Sequence, residues 1–420
     1  MTAATSDNER ARSTADAVAR RSYGKLVAFL AARSRDVAAA EDALADAFAA
    51  ALADWPARGV PRNPEAWLLT TARRKLIDFQ RRRHTARLAE PELERAAALL
   101  ESAPHDEAED MTIPDQRLGL MFACTHPAID ASVRAPLILQ TVLGFDAAMI
   151  ASAFLASPAA MGQRLVRAKT KIKQAGIPLR VPEREQLAER LDAVLAAIYA
   201  AFAEGWQDAL GTEPAHRELA EEALYLGRLL TELLPDEPEA LGLLALMLYA
   251  DARRHARRAR SGDYVPLAEQ ELSLWDDALI DEAEALLVRA SALGVVGRYQ
   301  LEAALQSAHV NGRRAGRTDW RALLALYDAL LELSGSPVVA INRALALANV
   351  AGAPAALAAL DALGSDQRLA EYQPYWAARA ELLARTGARS DAGEAYARAI
   401  GLERDPAVRL FLQRRLAALS

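Results

Sequence analysis

A single cysteine, Cys124, stands in 420 residues, so no disulfide can close within the chain. That usage fits a reducing compartment, and a cytoplasmic location is expected. No stretch of about 18 apolar residues runs free of charges, which excludes a conventional membrane-spanning helix. The opening residues, Met1 to Arg12, are polar and carry no apolar core, so no signal peptide is expected. Aromatic residues make up 6% and β-branched residues are sparse, which argues against sheets. Six histidines are scattered, and no phosphate loop, zinc-binding histidine pair or nucleophile triad occurs. No catalytic residue, cofactor or metal is therefore expected, and the chain does not read as an enzyme.

What remains is Ala and Leu in quantity, within an apolar content of 52%. Such a composition favours helices packed on helices, and the length asks for two or three domains. The net charge of −6 conceals an asymmetry. Residues 1–184 hold 26 Lys/Arg against 22 Asp/Glu, and the remainder holds 24 against 34. A mildly basic front suits nucleic acid and an acidic rear suits protein contacts, although uneven composition alone gives the same numbers.

Residues 1–15 read as disordered. Apolar residues then recur at helical spacing from Ala17 to Trp55, with Asp36 as the N-cap of a second helix. Pro56 to Pro64 breaks the pattern into a loop, and a third helix follows from Glu65 to Arg83. Residues 88–115 carry nine acidic residues against one basic, with three prolines, and read as a flexible tether. A second compact piece spans 116–178. From 185 the chain reads as helical hairpins: an extension over 185–310, then tetratricopeptide-like repeats over 311–420. Gly352 and Gly387 lie 35 residues apart, close to that repeat's period. Trp376, Gly387, Ala392, Tyr396 and Ala399 keep its packing positions.

Two helices concentrate positive charge. Between Arg58 and Arg87 there are nine basic residues and two acidic ones. Such density can track a phosphate backbone, or simply solvate a helix face. The second is a helix–turn–helix pattern. Asp146 caps a short helix from Ala147, and Leu155-Ala156-Ser157 turns. Ser157 then caps a helix that opens with Pro158, where proline fits best. Met161, Leu165, Ala168 and Ile172 line one face of that helix. Gln163, Arg164, Arg167, Lys169, Lys171 and Lys173 occupy the rest, the layout of a recognition helix in a major groove.

With these residues in view, the chain resembles the extracytoplasmic-function sigma factors of bacterial RNA polymerase. Ala40 to Phe48 resembles their clamp-binding helix. Asn63 to Arg73, with Asp78 and Arg81 to Arg83, resembles their −10-reading segment, and residues 146–173 resemble their −35 module. Phe122 to Ala128, Gly176-Ile177-Pro178 and Ser336 to Ala344 are similar to the subgroup with a tetratricopeptide-like extension. The resemblance implies an all-α protein: region 2 over 16–87, a linker over 88–115, region 4 over 116–178, and the helical extension behind. It implies that Glu41, Asp42, Leu44, Asp46 and Phe48 bind core polymerase at its β′ clamp, with the β flap as a further contact. Arg62, Asn63, Arg73, Arg74, Lys75, Arg81, Arg82 and Arg83 would meet the −10 element. The loop Arg58 to Asn63 would sit where relatives capture a flipped base, with Trp67 as core beneath it. Ser157, Ala159, Ala160, Gln163, Arg164, Arg167 and Lys171 would meet the −35 element. Ala45, Met149 and Ala160-Met161-Gly162 depart from the usual pattern, which bears on promoter sequence more than on role.

The partners so implied are core RNA polymerase, promoter DNA and a protein or peptide ligand of the rear domain, with no membrane. The short Pro178–Pro182 junction suggests that the rear domain assists by packing on the DNA-binding modules. Two other readings stay open: a helix–turn–helix regulator acting without polymerase, and a tetratricopeptide-type adaptor whose basic helices are merely solvated. Cys124 with His126 offers too few ligands for a metal and reads as core. The run Arg253 to Arg260 reads as a solvated helix end, or alternatively as a clamp for the acidic tether or upstream DNA.

Overall fold

The structure, a computed structural model, describes residues 2–86, 115–153, 157–207, 214–364, 366 and 369–419. Among them every regular element is helical, apart from an isolated bridge between Arg258 and Tyr264. The expected tether, residues 88–115, lies outside the described residues apart from Asp115 at its end. The chain divides into two compact units. The first is Met1–Gly205 with Glu213–Leu226, and the second is Trp206–Thr212 with Gly227–Ser420.

In the first unit, α1 (Thr2–Ser34), α2 (Val37–Arg58) and α3 (Pro64–Ala86) form a bundle. Helix α1 starts at Thr2, which corrects the disorder expected over residues 1–15. No glycine or proline interrupts Thr2 to Tyr23, and Ala11, Ala15 and Val18 are buried along one side. The corner after α1 is tight: Arg35 takes a φ of 54°, and Asp36 Oδ1 accepts from Ala39 N at 3.2 Å. Helix α2 also runs beyond the expected break, through Pro56 to Arg58. A proline in the last turn costs one ladder bond, and the Gly59 amide still reaches the Trp55 carbonyl at 2.9 Å. Leu26, Leu30, Leu44, Trp55, Leu68, Leu69 and Leu76 fill the centre.

Behind it lie α4 (Arg117–Cys124), α5 (Ala131–Thr141), α6 (Ala147–Ala153) and α7 (Pro158–Gln174). Their starts are capped as the side chains dictate. Asp130 accepts from Ser132 N at 2.9 Å, Asp146 from Ala148 N and Met149 N at 2.8 Å, and Ser157 from Ala160 N at 3.3 Å. Helix α7 buries Met161, Leu165, Ala168 and Ile172, the face that the periodicity marks. Leu155 and Ala156 of the turn lie outside the described residues.

Helices α8 (Arg184–Gln207) and α9 (Pro214–Leu233) begin in the first unit and end in the second. In the first unit, α9 supplies Glu218 to Arg20 at 2.8 Å and Glu222 to Arg117. The second unit centres on α10 (Pro238–Asp251), which is apolar around its whole circumference and buried from Pro238 to Tyr249, apart from Glu239. It packs on α11 (Asp277–Ala292) and α12 (Arg298–Arg314). Glu239 accepts from the amides of Tyr299 and Gln300, both at 3.0 Å, and so caps α12 across the interface. Six further helices follow: α13 (Trp320–Ser334), α14 (Pro337–Val350), α15 (Ala353–Asp361), α16 (Gln373–Thr386), α17 (Arg389–Leu402) and α18 (Pro406–Ala417). Gly387 takes a φ of 84° between α16 and α17, and Ala392, Tyr396 and Ala399 are buried where the two helices meet.

Candidate nucleic-acid interface

Helix α7 presents its polar residues outward. Ser157, Ala159, Gln163, Arg164, Arg167 and Lys171 are exposed, and Ala160 is half-buried. Arg164, Arg167 and Lys171 line one side of an open cavity of about 500 Å³, which Ile129, Asp130, Ser132 and Val133 complete. Three cations face one carboxylate there. Hydrogen bonds from the Ser132 hydroxyl and amide hold the Asp130 carboxyl below its usual range. The site therefore keeps a positive balance and can accept phosphate oxygens.

In the front bundle, Arg62 is exposed at the tip of the α2–α3 loop. Asn63 has a structural task, because its Oδ1 accepts from Ala66 N at 3.0 Å and caps α3. Both residues border a groove of about 440 Å³ with Thr14, Val18 and Arg21 of α1. Trp67 lies half-buried with its ring edge-on to Trp55 at 5.5 Å, in keeping with a core role beneath the loop. The cations of α3 divide. Arg74 and Lys75 are exposed, whereas Arg73 is half-buried with its pKa lowered by burial. The pKa of Arg33 on α1 is lowered as well, by burial first and then by the charge of Arg73. Arg81, Arg82 and Arg83 sit on α3, but their side chains lie outside the described residues.

Along α2, Asp42 and Asp46 are exposed and Phe48 is half-buried. Leu44 is fully buried, which corrects its expected role as a polymerase contact. It holds α2 in the bundle. Glu41 is half-buried and engaged: its Oε2 accepts from Lys169 Nζ of α7 at 2.6 Å. Burial pushes the Glu41 carboxyl up, and Lys169 pulls the other way. Lys173 of α7 pairs likewise with Asp36. These cross-module pairs escape sequence reading, since the partners are 128 and 137 residues apart and no local pattern announces them.

Other charged and polar candidates resolve into structure. Cys124 is fully buried, with Sγ 3.5 Å from Thr141 Oγ1, and its thiol is pushed up to about 12 by burial. His126 Nδ1 accepts from Ala128 N at 3.1 Å. Among the described residues no group of three or more His, Cys, Asp or Glu is placed to hold a metal. None of their helices is long and apolar enough to cross a membrane. The arginine run of the second unit turns inward, which corrects both readings made of it. Arg253 donates to the Tyr249 carbonyl at 3.2 Å and to Gln306, and Arg254 pairs with Asp251 at 2.6 Å. Arg257 donates to the Trp206 carbonyl at 2.7 Å and stacks on that ring, and Arg258 pairs with Asp405. Arg260 is exposed. Burial draws Arg253 and Arg257 down to about 10.

Comparison with known proteins finds two family matches along the chain. Residues 18–85 match the Sigma-70 region 2 family, and residues 190–291 match a family of unknown function (DUF6596). A protein of Rhizobium meliloti (strain 1021), described as uncharacterized, is 39% identical over 388 residues, covering 92% of this chain and 91% of the relative. No solved structure matches the chain.

Proposed function

Because the chain belongs to one family with the Rhizobium meliloti protein and carries a sigma-70 region 2 at its front, we propose that it is an alternative sigma factor of the extracytoplasmic-function type. The region 2 match supports a role in promoter recognition and transcription initiation. In this reading Glu41, Asp42, Asp46 and Phe48 of α2 meet core polymerase. Arg62, the Asn63 amide, Arg74, Lys75 and Arg81 to Arg83 meet the −10 element. The outer face of α7 reads the −35 duplex, with Gln163 and Arg164 at base edges and Arg167 and Lys171 on phosphates.

The observation that carries the reading is the pairing of the region 2 match with a capped, outward-facing basic helix in a separate helical module. A helix–turn–helix regulator needs the second and has no use for the first. The rear domain is read as a support, since the first unit extends past the Pro178–Pro182 junction into α8 and α9, where Glu218 and Glu222 hold Arg20 and Arg117. The tetratricopeptide-like repeats of the second unit are read as the seat of a protein or peptide ligand.

The test is gel filtration of the full chain with bacterial core RNA polymerase, followed by permanganate footprinting on the DNA upstream of its own gene. Co-elution and a melted segment establish the sigma role. Binding to duplex DNA without polymerase, and no co-elution, gives the plain regulator instead.

A further inference from the structure

In the second unit, the chain folds back on itself directly after its arginine run. Ser261-Gly262-Asp263 makes the turn, with Gly262 at a φ of 86°. Ala259 N donates to the Asp263 carbonyl and Val265 N to the Arg257 carbonyl, both at 2.9 Å. This short hairpin sets Tyr264 opposite Arg258, whose guanidinium carbon lies 5.9 Å from the tyrosine ring. Phe411 of α18 packs edge-on against the same ring at 5.4 Å and fixes it. Tyr264 is half-buried, and its hydroxyl makes no hydrogen bond among the described residues. It stands instead in the fields of Arg257, Arg258 and Arg253 together. Burial raises its pKa, so the phenol is neutral and is free to donate.

The charges around it do not balance. Four arginines, Arg253, Arg254, Arg257 and Arg258, are answered by two carboxylates, Asp251 on Arg254 and Asp405 on Arg258. Asp405 acts on Arg257 as well, but only at longer range. Among the described residues no carboxylate pairs with Arg253 or Arg257, which rest on the Tyr249 and Trp206 carbonyls and on Gln306. Both keep their charge at pH 7, because burial draws them down only to about 10. A carbonyl satisfies a guanidinium donor without cancelling its charge, and arginine does not escape by losing its proton. Arg258 supplies a second and independent sign. Its side chain is 9% exposed, yet Nε and Nη1 have no hydrogen-bond partner. Buried donors as a rule find acceptors, and those of a charged group most of all. What this cluster asks for is an acceptor with two negative charges and several oxygens.

We propose that Arg253, Arg257, Arg258 and Tyr264 form a binding site for a small phosphate dianion, either free phosphate or the phosphate group of a soluble monoester. Guanidinium forks take phosphate oxygens in pairs, and the phenol donates to a further one. A phosphate is largely dianionic at neutral pH and matches the surplus of two charges, whereas a single carboxylate meets half of it. The arginines turn inward, which suits a small anion and not the broad backbone of a duplex. The inference concerns the second unit alone and does not depend on the sigma reading.

The experiment is isothermal titration calorimetry of the full chain with inorganic phosphate, phenyl phosphate and acetate, in chloride buffer at one ionic strength. Saturable binding of phosphate, with no saturable heat from acetate, is the expected result. Tighter binding of phenyl phosphate than of inorganic phosphate identifies a monoester as the source, and the reverse order identifies the free ion. Arg257→Gln should weaken phosphate binding about tenfold or more, and Tyr264→Phe about fivefold. Phenylalanine keeps the ring against Phe411, so Tyr264→Phe remains readable if circular dichroism shows that Arg257→Gln has not folded. Arg164→Gln with Lys171→Gln, in the open cavity beside α7, should leave the phosphate affinity unchanged and so separates this site from the basic face of that helix. The proposal is overturned if the unaltered chain shows no saturable phosphate binding or binds acetate as tightly. It is overturned equally if Tyr264→Phe keeps full affinity, or if the binding disappears with the α7 pair.

Discussion

The thiol of Cys124 is enclosed by α4 and α5, with Thr141 as its polar neighbour. With its pKa pushed up to about 12, it stays protonated at pH 8, and the thiolate is the nucleophile. A chromogenic disulfide reagent should therefore find no reactive thiol in the native chain and one per chain in denaturant. Rapid native reaction would contradict the burial. His309 offers the opposite sign of test. Burial and the charge of Arg253 depress its pKa from 6.5 to about 4, so it is neutral in the fold. The unfolded chain takes up that proton first as pH falls. Stability is thus fully present above about 6.5 and is lost as pH drops toward 4, by about 3 kcal/mol. His309→Gln should flatten the fall in Tm between pH 7 and pH 4.5, and an unchanged slope would move its source elsewhere. At this scale the sequence was unevenly legible. The apolar face of α7 could be read, because side chains four and seven apart must share a side. The fates of Leu44 and of Arg253 to Arg258 could not, because spacing shows neither what covers a leucine nor whether an arginine finds a carbonyl inside.

Helices reveal their starts better than their partners. Asp36, Asp146 and Ser157 were identifiable as caps because a short oxygen-bearing side chain before an apolar period has one local use. The start of the N-terminal helix was missed because the first buried positions among its described side chains are Ala11 and Ala15, and alanines in an alanine-rich stretch mark no strong period. Gly24 and Gly162 show how much depends on the neighbour. At Gly24 any side chain meets the backbone of Val142, which has no rotamer to change. Gly24→Ala should cost about 2 kcal/mol or more in urea unfolding of the first unit. Gly162 lies inside α7, and a Cβ there would find only that of Ala147, at 4.0 Å. Gly162→Ala should instead stabilise by up to about 1 kcal/mol. The same small change thus has opposite signs on two helices of one unit. If both substitutions destabilise alike, helix propensity and close approach have been wrongly apportioned.

The boundary between units is where whole-molecule reasoning departs from the sequence. A cut at the Pro178–Pro182 junction follows the prolines, yet the compact unit continues through α8 and half of α9. The reason lies in Arg117, whose side chain is only 6% exposed. Asp115 reaches it at 2.6 Å, Glu222 pairs with it, and the Tyr225 ring lies 4.8 Å from the guanidinium carbon. A fragment of residues 1–184 keeps Asp115 but strips away Glu222 and the ring. It also removes Glu218 from Arg20. Breaking a buried pair costs about 3–5 kcal/mol when no partner remains, and less here because Asp115 stays. The 1–184 fragment should therefore unfold several degrees below a fragment of residues 1–233, which ends where α9 ends. Melting curves followed by circular dichroism decide the point. Lower activity of the short fragment would then report a weakened first unit, with no need to invoke a role of the second. Equal melting of the two fragments would mean that α8 and α9 give the modules no support. An assisting rear domain would then have to act through its own contacts with polymerase or DNA.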